Sequence, residues 1–409
     1  MTIELRVLDE ADWETWFSTV SWAFGGAFGS DEERALWRSL TETERSIGVW
    51  DGDRVVGTAG TFSLGLSVPG GAVVPAGGLT MVGVAPTHRR RGILRRMMRQ
   101  QLDDVRAAGE PLAVLTASEP SIYGRFGYGT ATWELSAEIE TRDVRLSAPP
   151  GIDEVEIRVA DPADVLDACE ELYARQVPLR PGMLARRPGW ERAALWVAPD
   201  VRAGAAPQLC VLAERDGELL GYARYLTRPS WQPSGPDGTV QVRDLQATEP
   251  AGYAALLRYL LDIDLMSTVA LARRPVDEPF TQLLSDVRRC DLRVRDGLYL
   301  RPVEVGPALA ARRYATDVEV VLEVTDAFCP WNEGRWRLSG GPEGAVCERT
   351  ADPAELALTV NEVGAAYLGG VSLSALAAAG RVRELRPGAL GAAATAFGSP
   401  VAPWLSHGF

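Results

Sequence analysis

The sequence predicts an α+β chain of three units, the second a degenerate copy of the first. Three observations carry this expectation. Residues 79–128 read as a strand, a basic glycine turn, an amphipathic helix, a second strand and a short aromatic segment. The opening Ile3-Glu4-Leu5-Arg6-Val7-Leu8-Asp9-Glu10-Ala11-Asp12 returns as Val155-Glu156-Ile157-Arg158-Val159-Ala160-Asp161-Pro162-Ala163-Asp164, the mark of an internal duplication. After residue 302 strands come first and helices follow, the order of an α+β unit. The turn-rich stretch 145–151 is a candidate linker, so the units are expected at 1–150, 151–302 and 303–409.

The first unit begins with a strand at 3–7 and a helix capped near Asp9 or Asp12. Trp13, Trp16, Phe17 and Val20 fall on one face of that helix. A hairpin turns at Asp51-Gly52 between strands 47–50 and 54–57. Strand 79–84 contains Gly83, where a bulge or a close backbone approach is expected. After the turn, Ile93, Leu94, Met97, Met98, Leu102 and Val105 repeat at helical spacing, while Arg95, Arg96, Arg99, Asp103 and Asp104 take the other face. Strand 112–117 follows and leads into Ser118-Glu119.

A helix N-terminus presents unpaired N–H groups and a partial positive charge, and a glycine lets an anion reach them. Arginine adds charge-assisted hydrogen bonds to phosphate. An arginine run alone is commonly a solvated surface; the order strand, turn, Gly92, helix favours an anion seat. In the second copy, strand 240–245 and helix 252–261 stand in for the central strand and helix. Their turn, 246–251, lacks arginine and carries Glu249, so it should repel an anion. The third unit offers a helical connection at 303–314, strands at 318–324, 335–338, 345–348 and 356–360, then helices at 361–368, 373–379 and 388–397.

The net charge of −13 argues against nucleic acid or anionic membrane as a general partner and is compatible with cationic substrates. The chain contains no lysine, so all 42 of its Lys+Arg side chains are arginine. Five cysteines without metal-type spacing read as buried free thiols in a reducing compartment, and no metal is expected. The start lacks a secretory pattern and no apolar run spans a bilayer, so a cytoplasmic protein is expected.

Arg89-x-x-Gly92-x-Leu94 resembles the acetyl-CoA motif of GNAT acyltransferases, with Leu94 in place of the usual small residue. Val82-Gly83-Val84-Ala85-Pro86-Thr87-His88-Arg89-Arg90-Arg91-Gly92, Ser118-Glu119 and Ile122-Tyr123-Gly124-Arg125-Phe126-Gly127-Tyr128 resemble one branch, the Eis (enhanced intracellular survival) family. That resemblance implies two GNAT-like domains, a sterol-carrier-like C-terminal domain, acetyl-CoA as co-substrate and a homohexamer. It implies that backbone groups of Val82, Gly83 and Val84 pair with the pantetheine arm. Arg90, Arg91, Gly92, Ile93, Leu94 and Arg95 would hold the diphosphate, with Ser118 and Glu119 close by. Phe24, Phe28, Trp37 and Met81 would wall the acceptor pocket.

On the same resemblance Tyr123 is the general acid. A phenol titrates near about 10 and can protonate a departing thiolate. Tyr128 is expected as core. The resemblance makes the Phe409 carboxylate the base; a free α-carboxylate titrates near about 3.5. His407 is the rival base, with a pKa better suited to the task. His88 is expected to face phosphate or solvent. The acceptor is expected to be a primary amine of a cationic small molecule, aminoglycosides among the candidates, with Asp31, Glu32 and Glu33 as the available acids. A protein or peptide lysine, or a CoA- or lipid-binding scaffold without catalysis, are the alternatives.

Overall fold

A computed structural model describes residues 3–26 and 30–409. Phe28, expected in the acceptor pocket, lies outside the described residues. No described helix is long and apolar enough to cross a membrane.

The first sheet orders its strands Ile3–Val7, Ile47–Asp51, Arg54–Ser67, Val73–Val84, Leu112–Thr116, Leu298–Pro302 and Gly129–Thr130. Asp9 accepts from the Ala11 N–H and starts the turn before helix Trp13–Ala23, which buries Trp13, Trp16, Phe17 and Val20 as the spacing predicts. The Asp51-Gly52 hairpin forms with Asp51 opposite Arg54. Helix Ile93–Ala107 buries Ile93, Met97, Met98, Leu102 and Val105, and Gln101 joins them by donating to the Gly60 carbonyl at 3.1 Å. A Cβ on Gly57 would stand 3.1 Å from Ile93, so small residues on the sheet let this helix sit close.

The second sheet runs Arg293–Asp296, Trp133–Glu140, Met266–Pro275, Gly238–Ala247, Glu218–Arg228, Leu209–Arg215, Glu156–Ala160. The expected boundaries at 150 and 302 therefore cut across both sheets. Strand Trp133–Glu140 pairs with Met266–Pro275 in the second sheet, and Leu298–Pro302 inserts beside Leu112–Thr116 in the first. Alternating apolar residues mark a strand but do not say which sheet completes it.

The third sheet, centred on Val318–Thr325, carries helices Val360–Ala366, Leu373–Ala378 and Ala389–Phe397. It shares an apolar cluster with the first sheet, and part of its attachment is polar and buried. Arg301 reaches Asp326 at 2.5 Å and also donates to the Phe126 carbonyl. Asp326 further accepts from the Asn332 amide at 3.0 Å. Removing one partner of a buried pair leaves the other charge uncompensated. Asp326→Ala should therefore cost about 3–5 kcal/mol. Urea denaturation measures it; a loss below about 1 kcal/mol, the worth of a surface pair, would show that the pair does not hold the units together.

Candidate active site

The site begins with a broken strand pairing. Val73–Val84 and Leu112–Thr116 run parallel only from Ala76 opposite Leu112 to Gly78 opposite Val114. On its other side, Val73–Val84 matches Thr58 with Gly83 but Gly60 with Thr80, so one extra residue is bulged in. Met81 takes that strain, with φ +52°. Thr58 Oγ1 donates to the Met81 carbonyl at 2.9 Å and pins the bulge. The strand bends away, and residues 79–84 are left with a free edge toward the gap. The irregularity expected at Gly83 thus sits two residues earlier. Gly83 serves close approach instead: a Cβ there would stand 2.8 Å from Ala23.

At the far end of the gap, helix Ile93–Ala107 starts at Gly92, which adopts φ +77°. No side chain caps this start, no acid lies in its first turn, and nothing lies within 4 Å of where a Gly92 Cβ would be. Arg89, Arg90, Arg91 and Arg95 are exposed, and none has an ion-pair partner among the described residues. Ile93 is core and Leu94 packs against two core clusters, so only their backbone N–H groups face an anion. Val82 and Val84 are half-buried beside them. His88 faces neither phosphate nor solvent: it is buried, with Nδ1 2.8 Å from Thr87 Oγ1 and Nε2 3.2 Å from Asp51. An uncapped helix start with unpaired arginines beside it fits a diphosphate.

Strand Leu112–Thr116 ends in exposed Ser118 and Glu119 and then the tight helical turn Pro120–Phe126. Tyr123 is 9 % exposed and meets Tyr128 edge-on at 6.1 Å. Burial, with Glu119 adding to it, pushes its phenol up to about 12. Tyr128 is core, as expected, and burial raises it further. The third unit sets this turn in place. Asn361 Nδ2 donates to the carbonyls of Gly124 at 2.7 Å and Tyr128 at 2.9 Å. Gly129 admits the Val360–Ala366 helix, whose Asn361 carbonyl would lie 2.0 Å from a Cβ. Nothing in the sequence marks Asn361 for this task.

The chain end docks in the same gap. Thr80 Oγ1 donates to a carboxylate oxygen of Phe409 at 3.3 Å, and the buried Phe409 ring lies against Gly78. The tail is held along its length. Trp404 N donates to the Pro181 carbonyl at 2.8 Å and its indole to the Arg273 carbonyl at 2.5 Å. Ala402 N donates to Asp277 at 2.8 Å, and Ser406 bonds Tyr173 at 2.8 Å. His407 donates from Nδ1 to the Gly408 carbonyl at 3.0 Å. Burial first, and Arg186 second, push its pKa down to about 4. That removes the advantage an ordinary imidazole would have over a carboxylate as base.

Met81 and Phe409 share one apolar cluster with Phe62 and Trp190, and Phe24 and Trp37 pack against it. Trp37 stacks on Phe62 at 6.4 Å, and Phe62 meets Trp190 edge-on at 5.0 Å. Phe62 and Trp190 join the expected pocket residues only through the fold, since Trp190 comes from the second unit. The acids expected to draw a polycation differ in setting, and Asp31 stands exposed in the first turn of its helix. Glu32 pairs with Arg202 at 2.9 Å and Glu33 is buried.

Known proteins resemble the chain along its whole length. Acetyltransferase (GNAT) domains match residues 4–131 and 182–302, and a sterol carrier protein domain matches residues 305–406. An uncharacterized N-acetyltransferase of Streptomyces avermitilis is 62 % identical over 409 residues and all of both chains. The N-acetyltransferase Eis of Mycobacterium tuberculosis is 35 % identical over 399 residues, 94 % of each chain. The chain belongs to the Eis family of GNAT N-acetyltransferases. The crystal structure of Eis1 from Mycobacterium abscessus superposes with a TM-score of 0.85 at 33 % identity over the whole of both chains. The chain is accordingly an N-acetyltransferase, and GNAT domains in general bind acetyl-CoA.

The Eis-family duplication extends to the bulge itself. In the second sheet Arg224 faces Asp244 but Tyr225 faces Val242, leaving Arg243 extra, and the parallel pairing stops at Val242 opposite Leu271. Beyond that point the free Arg273 carbonyl is taken by the Trp404 indole. Glu249 pairs with Arg215 at 2.7 Å where the first copy has Gly92 and its arginines.

A folded-state His407 that resists protonation contributes stability present above its unfolded pKa of 6.5 and lost as pH falls toward 4. His407→Gln should flatten that acid arm, read from urea denaturation at graded pH. An unchanged slope would mean that the imidazole titrates as it does in water.

Proposed function

We propose that the chain transfers the acetyl group of acetyl-CoA to the primary amine of a small molecule by direct attack. In this reading Tyr123 is the general acid and the Phe409 carboxylate the base. The observation that carries it is the docked chain end, held on Thr80 at the edge of the gap between the two splayed strands.

Acetyl-CoA supplies an activated acetyl group as a thioester. Gly92 and the N–H groups of the following turn seat its diphosphate, with Arg90, Arg91 and Arg95 adding charge. The open backbone edge at Val82, Gly83 and Val84 takes the amides of its arm, and Ser118 and Glu119 lie beside it. Phe24, Trp37 and Met81 wall the acceptor side. As the C–N bond forms, the nitrogen becomes strongly acidic, so a carboxylate can take its proton directly or through one water. As the C–S bond breaks, Tyr123 gives its proton to sulfur. A phenol held at about 12 keeps that proton across the working pH range, and it is restored from solvent after each turnover.

Thiol release with acetyl-CoA and a panel of amines tests the reading. Tyr123→Phe, and separately removal of Phe409, should each lower kcat by about a hundredfold to ten-thousandfold while acetyl-CoA affinity is kept. His407→Gln should retain most turnover. Full activity without Phe409, or a collapse confined to the His407 variant, would sink the assignment of the base. The basic limb of the wild-type kcat profile should lie above pH 10, the ordinary value of a phenol. The family resemblance also supports a hexamer, which light scattering checks as six times the 44.2 kDa chain mass.

A further inference from the structure

The charge beside the docked chain end has the wrong sign for a polycation. Arg273, near the end of strand Met266–Pro275, stands with φ +55°. Its Nη1 lies 3.1 Å from where a Cβ on Gly408 would be, so the guanidinium rests against the backbone of the residue before the chain end. The Trp404 indole on its carbonyl holds the backbone there. Arg243 is the extra residue of the second bulge; loss of surrounding water first, and the nearby Arg273 charge second, hold its pKa below the ordinary arginine value. Asp200 acts weakly the other way.

Both residues keep solvent-exposed surface although the Arg243 guanidinium is partly desolvated, and neither guanidinium has an ion-pair or hydrogen-bond partner among the described residues. The inner arginines differ: Arg186 is tied to Glu170 at 2.6 Å, and Arg224 reaches Glu170 and Asp244. Two like charges near each other repel, and an anion between them relieves that repulsion. Gly408 directly precedes Phe409, so Arg273 stands one residue along the chain from the proposed base.

We propose that Arg273 and Arg243 form a subsite for an anionic group of the acceptor, a carboxylate or a phosphate, so that the preferred substrates are amine-bearing acids and not polycations. This rests on the reading of the Phe409 carboxylate as base. A charge-assisted hydrogen bond of this kind contributes about tenfold or more in binding.

Thiol release by the full-length enzyme compares ε-aminocaproate with hexylamine and hexamethylenediamine, and phosphoethanolamine with ethanolamine. The anionic member of at least one set should show kcat/KM about tenfold above its uncharged partner, and the set that does so identifies carboxylate or phosphate. Arg273→Gln, and independently Arg243→Gln, should bring that ratio toward one through KM. An equal or better rate with the diamine overturns the proposal. So does an equal loss of kcat across all amines in both variants, which would make the arginines counter-ions of the chain end. No turnover with any amine, in contrast, strikes the acetyl-transfer mechanism itself and this subsite with it.

Discussion

The bulge at Met81 is the constraint on which the rest of the site depends. A regular strand would pair with Leu112–Thr116 along its whole length and leave no gap. One extra residue, in a backbone conformation that a methionine adopts only under strain, turns the strand away after Gly78. The strain is met by the Thr58 hydroxyl, by the pairing on either side and by the close seat of Gly83 against the first helix. From that single kink follow the free edge at 79–84, the opening toward Gly92 and the place where Thr80 receives the chain end.

The three units are not beads on a string. Each GNAT sheet contains a strand from the other's expected segment, and the third unit is clamped to the first by Arg301 and Asp326. Asn361 then holds the turn that carries Tyr123, and the chain end crosses the second unit before reaching the first. Under the proposed mechanism the acid and the base therefore both owe their placement to the third unit, although the co-substrate seat lies wholly in the first. This gives the sterol-carrier-like unit a mechanical role without lipid.

The second copy keeps the kink and loses the anion seat. Its bulge at Arg243 still opens an edge, but the tail's tryptophan covers the Arg273 carbonyl, and Glu249 sits where an anion would need a donor. What was a second binding gap has become the groove along which the tail runs. Arg273 meets the tail at its rim, beside Gly408.

Local chemistry alone determined much of this protein. Helical spacing marked the buried faces of 13–20 and 93–105, the Asp51-Gly52 turn marked a hairpin, and Gly92 among arginines marked an uncapped helix start. Each depends on residues a few positions apart, whereas the roles expected of Tyr123 and Phe409 came from the family resemblance. The tertiary structure alone decided what depends on distant partners. The strand exchange, the burial of His88 against Asp51, the depressed pKa of His407 and the service of Asn361 to the Tyr123 turn all join residues that periodicity cannot connect. The bulge fell at Met81 and not at Gly83 for the same reason: where a strand kinks is set by the register it must keep with its neighbour, and register belongs to pairs of strands.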